Sequence, residues 1–238
     1  MSRPEPGLCD PGALHAIFRK QSWIGLSAMA VENAKLNFDQ ALTEFELAWD
    51  NPVFTRFELP PVRVNTVLRQ KYSVEPEKLI TRAMVWDMEV KKAWDSLTYI
   101  PYVVSEGQSW GRHSLSDNSE RFYRSSTQAA WIANTKGRVL EDVYVNHAAQ
   151  RILFLGRSEF ATDAGIVQAD DFQPIFHVEH AVSGPQNDPS NLWRIVILTE
   201  RKDERFTEPF RQMVARGLLP GFLEIYLEND LGMKLIRK

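Results

Sequence analysis

Hydrophobic residues change their spacing twice along this chain, dividing it into a helical beginning, a strand-rich middle and a helical end. Asp10-Pro11 supplies an N-cap followed by proline at the first helical position. Leu14, Ile17, Phe18, Trp23, Ile24 and Leu26 follow, too densely apolar for a solvent-facing helix. A second helix is predicted from about Glu32 to Trp49, with Leu36, Leu42, Phe45 and Trp49 along one side, and Asn51-Pro52 ends it. Over residues 54–70, Pro60-Pro61 followed by Val62, Val64 and Val67 predicts an extended segment or edge strand. Glu75-Pro76 is read as the opening of another helix. Its apolar face carries Leu79, Ile80, Ala83, Val85, Trp86, Val90 and Trp94, with Glu89, Lys91 and Lys92 opposite.

From about Val103 to Lys202 the period falls toward 2, and six strands are predicted near 103–110, 121–133, 138–147, 151–158, 173–182 and 191–201. Turn chemistry separates them at Ser116-Asp117-Asn118, at Lys136-Gly137 and from Ser183 to Pro189. Connections this short imply an antiparallel meander. Helical spacing returns from Phe206 to Arg216, breaks at Gly217 and resumes from Pro220 to Gly232. The order predicts an α+β fold. A curved antiparallel sheet of six to seven strands wraps on a long C-terminal helix, with an extra helical N-terminal segment. Residues 1–55 are expected to form a helical extension packed on the sheet, and 56–238 the ligand-pocket domain. Volume left between a curled sheet and its helix is a common site for apolar ligands. Strands 151–158 and 191–201 are apolar on both faces, so the outer face must also be covered, by the N-terminal helices, another subunit or both. A homo-oligomer, dimer or trimer, is expected.

Composition narrows this only slightly. At 238 residues, 44% hydrophobic and 25% charged, the chain is of ordinary globular type. The net charge of -3 is spread without a basic stripe, so no nucleic-acid partner is expected. A single cysteine, Cys9, excludes an intrachain disulfide and argues for a reducing compartment. The start Met-Ser-Arg-Pro-Glu-Pro lacks a signal-peptide apolar region, and no apolar run approaches the roughly 20 residues of a membrane span. A cytoplasmic protein with no membrane partner is expected.

The stretch Ala83-Met84-Val85-Trp86, continuing to Trp94-Asp95, Tyr99-Ile100-Pro101 and Val103-Val104, resembles the first helical pair of the helix-grip superfamily. That superfamily includes START domains, Bet v 1 and polyketide aromatase/cyclases. The resemblance covers roughly residues 60–238 and rests on element order. It implies a pocket for a hydrophobic small molecule, used for catalysis or for carriage and sensing. The helical N-terminus is also similar to NTF2-like proteins, which place their helices first. That likeness implies cofactor-free dehydratases, isomerases and lyases acting on aromatic compounds, lignin-derived ones among them.

Candidate chemistry centres on Phe176-His177-Val178-Glu179-His180-Ala181-Val182. On a strand, His180 shares a face with Phe176, Val178 and Val182, while His177 and Glu179 point the other way. His180 is a candidate general base or acid or a satisfied core histidine, and the alternation argues against a metal held by the His-x-x-His pair. Arg124 is either a clamp for a phenolate or carboxylate or the structural partner of Glu141, Asp142 or Glu179. Tyr123 joins His180 and Arg124 as a candidate catalytic residue. Tyr99, Tyr102, Trp110, His113, Gln128, Phe176, Trp193, Phe222 and Tyr226 are candidates for substrate binding. The sequence carries no Gly-x-Gly-x-x-Gly, P-loop, Gly-x-Ser-x-Gly or His-Glu-x-x-His motif, so no cofactor and no metal are expected. Two readings lead, with a purely structural oligomerisation module, both sheet faces packed and no cavity, as a third. One is a cofactor-independent lyase, dehydratase or cyclase working by acid–base chemistry on an aromatic, phenolic molecule, lignin-derived or polyketide-like. The other is a non-catalytic carrier or sensor of START type.

Overall fold

The structure, a computed structural model, describes residues 37–238. The first predicted helix and Cys9 lie outside them. Helix α1 (Phe38–Asp50) opens on a capping box: the Asn37 side chain accepts from Gln40 N at 2.9 Å and Gln40 Oε1 accepts from Asn37 N at 3.1 Å. Strands β1 (Thr55–Glu58) and β2 (Val62–Arg63) follow, then helix α2 (Val64–Lys71). The segment expected to be extended is so in β1 and β2, at the sheet edge, but from Val64 onward it is helical. Val64 and Leu68, four residues apart, are buried on one side of a helix, and that burial overrides the preference of valine for strands.

Strand β3 (Tyr72–Glu75) leads into an irregular stretch through Pro76, and helix α3 (Arg82–Trp94) begins only after Thr81, whose hydroxyl accepts from Met84 N. The helix start expected at Glu75-Pro76 is therefore displaced, because the working cap is a threonine. Helix α4 (Ser96–Tyr99) completes the helical pair.

The main sheet contains β4 (Val104–Ser114), β5 (Glu120–Ala129), β6 (Lys136–Asn146), β7 (Arg151–Arg157), β10 (Phe176–Ser183) and β11 (Ser190–Ile197). A small hairpin of β8 (Glu159–Thr162) and β9 (Gly165–Gln168) stands apart from it. The strand order is β1-β11-β10-β7-β6-β5-β4, with β2 also paired to β11. The first strand of this sheet thus closes against its last, Thr55 facing Ile197, and the helical pair bridges from one sheet edge to the other. This curved α+β arrangement is the one implied by the helix-grip resemblance, because a strand precedes the helical pair.

The C-terminal part breaks at Gly217 and resumes after Pro220 as expected, but its last helix is shorter than the long one expected. Helix α5 (Glu208–Arg216) stops where Gly217 adopts φ 62°, and helix α6 (Gly221–Asn229) starts after Pro220. Strand β12 (Lys234–Arg237) then pairs with β3.

Both sides of the sheet are covered at its centre. The inner side packs with α3 and α5 through Phe122, Phe154, Val178 and Ile195, and His180 and Trp193 meet Phe222 of α6. The outer side meets α1 through an ionic layer. Arg157 donates to Glu44 and Arg194 to Glu46, at 3.0 and 2.6 Å, and the Arg194 guanidinium lies 4.8 Å over the Phe45 ring. Arg151 and Arg194 also pair with Glu179, which faces outward from β10. Among the described residues, no helix is long and apolar enough to cross a membrane.

Candidate ligand cavity

Between the concave face and the helices lies a cavity of about 240 Å³. Period-2 alternation sets its wall. On β5, Arg124 and Gln128 point inward and Tyr123 outward; on β10, Phe176, Val178 and His180 point inward and His177 outward. Phe154 and Trp193 continue the wall on β7 and β11. Phe210 and Met213 of α5 and Phe222 of α6 close the helical side. Tyr102 stands at the rim, 57% exposed, with its ring against Gly221; a Cβ there would come within 2.7 Å of Cε1.

One corner of this apolar space is charged. Lys92 Nζ is 2.6 Å from Glu89 Oε2, an ion pair outside good hydrogen-bond geometry, and 2.8 Å from His180 Nδ1. It also sits 4.0 Å over the Phe222 ring. Glu89 Oε1 accepts from Asn191 Nδ2 at 2.6 Å and lies 3.3 Å from His180 Nδ1. Beside them Arg124 donates to Glu141 at 2.7 Å and to the Lys92 and Ala93 carbonyls at 3.4 and 3.2 Å. The corner therefore holds two cations and two carboxylates, all buried.

Burial shapes their proton affinities. It pushes Lys92 down to about 8, against the pull of Glu89. Burial alone would raise Glu89, but His180 and Lys92 outweigh it and hold the carboxyl at about 2. Burial also lowers His180, against Glu89, so the imidazole is neutral at neutral pH and accepts from Lys92 at Nδ1. With that ring uncharged, the ammonium is the group that keeps Glu89 ionised. His180 is stacked on Trp193, ring centroids 5.1 Å apart, and meets Phe154 and Phe222 edge-on.

Of the residues singled out in the sequence, His180, Arg124, Tyr102, Gln128, Phe176, Trp193 and Phe222 line the cavity. Five do not. Tyr123 is on the outward side of β5, clustered with Trp110 and Phe160. His113 is exposed near the end of β4, its Nδ1 2.7 Å from Gly111 O. Tyr99 and Tyr226 are core residues whose hydroxyls donate to Asp230 and Asp87. Glu89 and Lys92 escape the sequence reading, which sets them on the wet side of α3. A signal for them exists: Val85, Met88, Glu89 and Lys92 follow the i, i+3, i+4, i+7 spacing of one buried stripe.

No family model matches the chain, and no curated protein matches it in sequence. Among solved structures the chain is similar to that of Ara h 8.0201, at 14% identity over 74% of this chain and 99% of that one, with a TM-score of 0.44. A protein from Thermus thermophilus matches at 14% identity over 75% of this chain and 97% of its own, with a TM-score of 0.41. A START superfamily protein from Mycobacterium smegmatis matches at 12% identity over 69% and 92%, with a TM-score of 0.31.

Proposed function

We propose that the cavity receives a small ring-bearing molecule and performs acid–base chemistry on it without a cofactor, as a lyase, dehydratase or cyclase of aromatic compounds. The observation that carries this is the Lys92–Glu89–His180 corner set into an otherwise apolar hollow. Burying ionised groups costs several kcal/mol each before pairing, and mere carriage of a greasy molecule gains nothing from them. A neutral imidazole, its proton affinity lowered by burial, beside an ammonium brought down to about 8 offers one group that can take a proton and one that can give it. The volume supports one or two rings, since an apolar cavity of roughly 150 Å³ already accepts benzene. Phe222, Trp193 and Phe154 supply faces and edges for stacking. Arg124, already paired with Glu141, holds the corner in place more than it binds ligand.

Incubating the protein with a panel of phenols and aryl carbonyl compounds and following products by mass spectrometry tests the reading. The His180→Gln variant should keep its fold and lose turnover by on the order of 10²-fold. Full turnover by folded His180→Gln removes the histidine from the chemistry. The second reading, a non-catalytic carrier, is favoured by the internal pairing of Arg124 with Glu141. It wins if panel members bind but none is converted.

A further inference from the structure

Lys92 is placed to do more than pair with Glu89. We propose that its Nζ forms an imine with aryl aldehydes or ketones that enter the cavity, so that the ligand class includes carbonyl compounds held covalently. This rests on the cavity reading above and extends it.

Three features of the geometry support it. Lys92 is 3% exposed and lines the cavity, so a carbonyl carbon reaches it from a largely apolar space. A second cation lies near: Arg124, anchored on the Lys92 and Ala93 carbonyls at the end of α3, also lowers the proton affinity of Lys92. Desolvation and a neighbouring cation are the two devices that make a lysine nucleophilic near neutral pH. Third, a proton carrier lies within reach, His180 Nδ1 at 2.8 Å from Nζ. Burial lowers the lysine to about 8, so roughly one molecule in ten carries the free amine at pH 7.

The step balances with these groups alone. The ammonium gives one proton to His180, and the freed electron pair forms the C–N bond while the C=O π pair moves to oxygen. That oxygen takes the proton back from His180. The nitrogen then passes a second proton through His180 to the hydroxyl. The C–O bond breaks, water leaves, and the nitrogen pair closes the C=N bond. An ammonium and a carbonyl have become an iminium and water, and Glu89 keeps a cation beside it throughout.

The test uses 2-naphthaldehyde with sodium cyanoborohydride at pH 8, and peptide mapping by mass spectrometry. The expected result is one reduced adduct per chain on Lys92, formed on the order of 10-fold faster than on any other lysine. 2-Naphthalenemethanol, which has no carbonyl, should suppress that adduct and leave surface labelling unchanged. Lys92→Arg, which keeps a cation for Glu89, should lose the adduct. Its binding of the alcohol, read by tryptophan fluorescence, separates the two ideas. If the wild-type protein binds the alcohol yet Lys92 is not labelled, the imine is overturned and the ligand reading stands. If the alcohol does not bind and only surface lysines are labelled, both fall. Labelling of Lys92 that the alcohol leaves untouched also overturns the proposal.

Discussion

Replacing Lys92 by methionine removes the ammonium and keeps most of the side-chain volume. In the folded protein Lys92 Nζ and Glu89 Oε2 are 2.6 Å apart, which at an effective dielectric constant of 20 is an attraction of about 6 kcal/mol. Burying both ions offsets most of that, so the pair itself adds little, but deleting one partner leaves a fully buried carboxylate with only Asn191 and His180 beside it. Breaking such a pair costs about 3–5 kcal/mol. The variant has a way to recover part of it: with the lysine gone, Glu89 draws a proton onto His180 or onto itself. That folded-state affinity then lies above its unfolded value, so the regained stability is present at lower pH and lost as pH rises. Urea unfolding should therefore show a loss of about 3–5 kcal/mol at pH 8 and a distinctly smaller loss at pH 5.5. The double variant Lys92→Met/Glu89→Leu should regain most of the stability. A single variant less than about 1 kcal/mol below wild type at pH 8, or a loss equal at both pH values, would refute the account of the buried pair.

Two further outcomes follow from other parts of the sheet. Burial lowers His177 from 6.5 to about 4, with Arg157 acting the same way and Glu44 opposing. The unfolded chain therefore binds more protons between those values, and stability falls by up to about 3 kcal/mol as pH drops through that window. His177→Gln should flatten this part of the stability profile in urea titrations, and an unchanged slope would contradict it. At Gly156 a Cβ would come within 2.3 Å of the Phe176 carbonyl oxygen, which is backbone and cannot swing aside. Gly156→Ala should lower stability by about 1–3 kcal/mol, and a thermal midpoint equal to wild type would show that β7 and β10 can separate there.

The strands are legible in the sequence because alternation survives wherever one face differs from the other. Even β7 and β10, buried on both faces, are marked by their β-branched and aromatic residues and by turns on either side. The β8–β9 hairpin is not, since four-residue strands that are largely exposed leave too short a pattern. Helix α2 is hidden by its own valines. The cavity wall is half legible: His180 and Arg124 stand out as polar residues in apolar rows, but a strand pattern does not say which face is concave, so Tyr123 is carried along with Arg124. Glu89 and Lys92 are lost to a physical assumption, that charges on a helix point to water. A pair that neutralises itself at i, i+3 escapes that rule.

The balance of charge in the hollow has a consequence for what can settle there. With Lys92 and Arg124 matched by Glu89 and Glu141 and the imidazole uncharged, the interior is electrically closed before any visitor arrives. A guest bringing its own carboxylate or ammonium would be the one unmatched ion among largely apolar walls, at a penalty of several kcal/mol. An uncharged ring of the same size meets no such barrier, so selection among similar compounds begins with their ionisation in water and only afterwards with their shape.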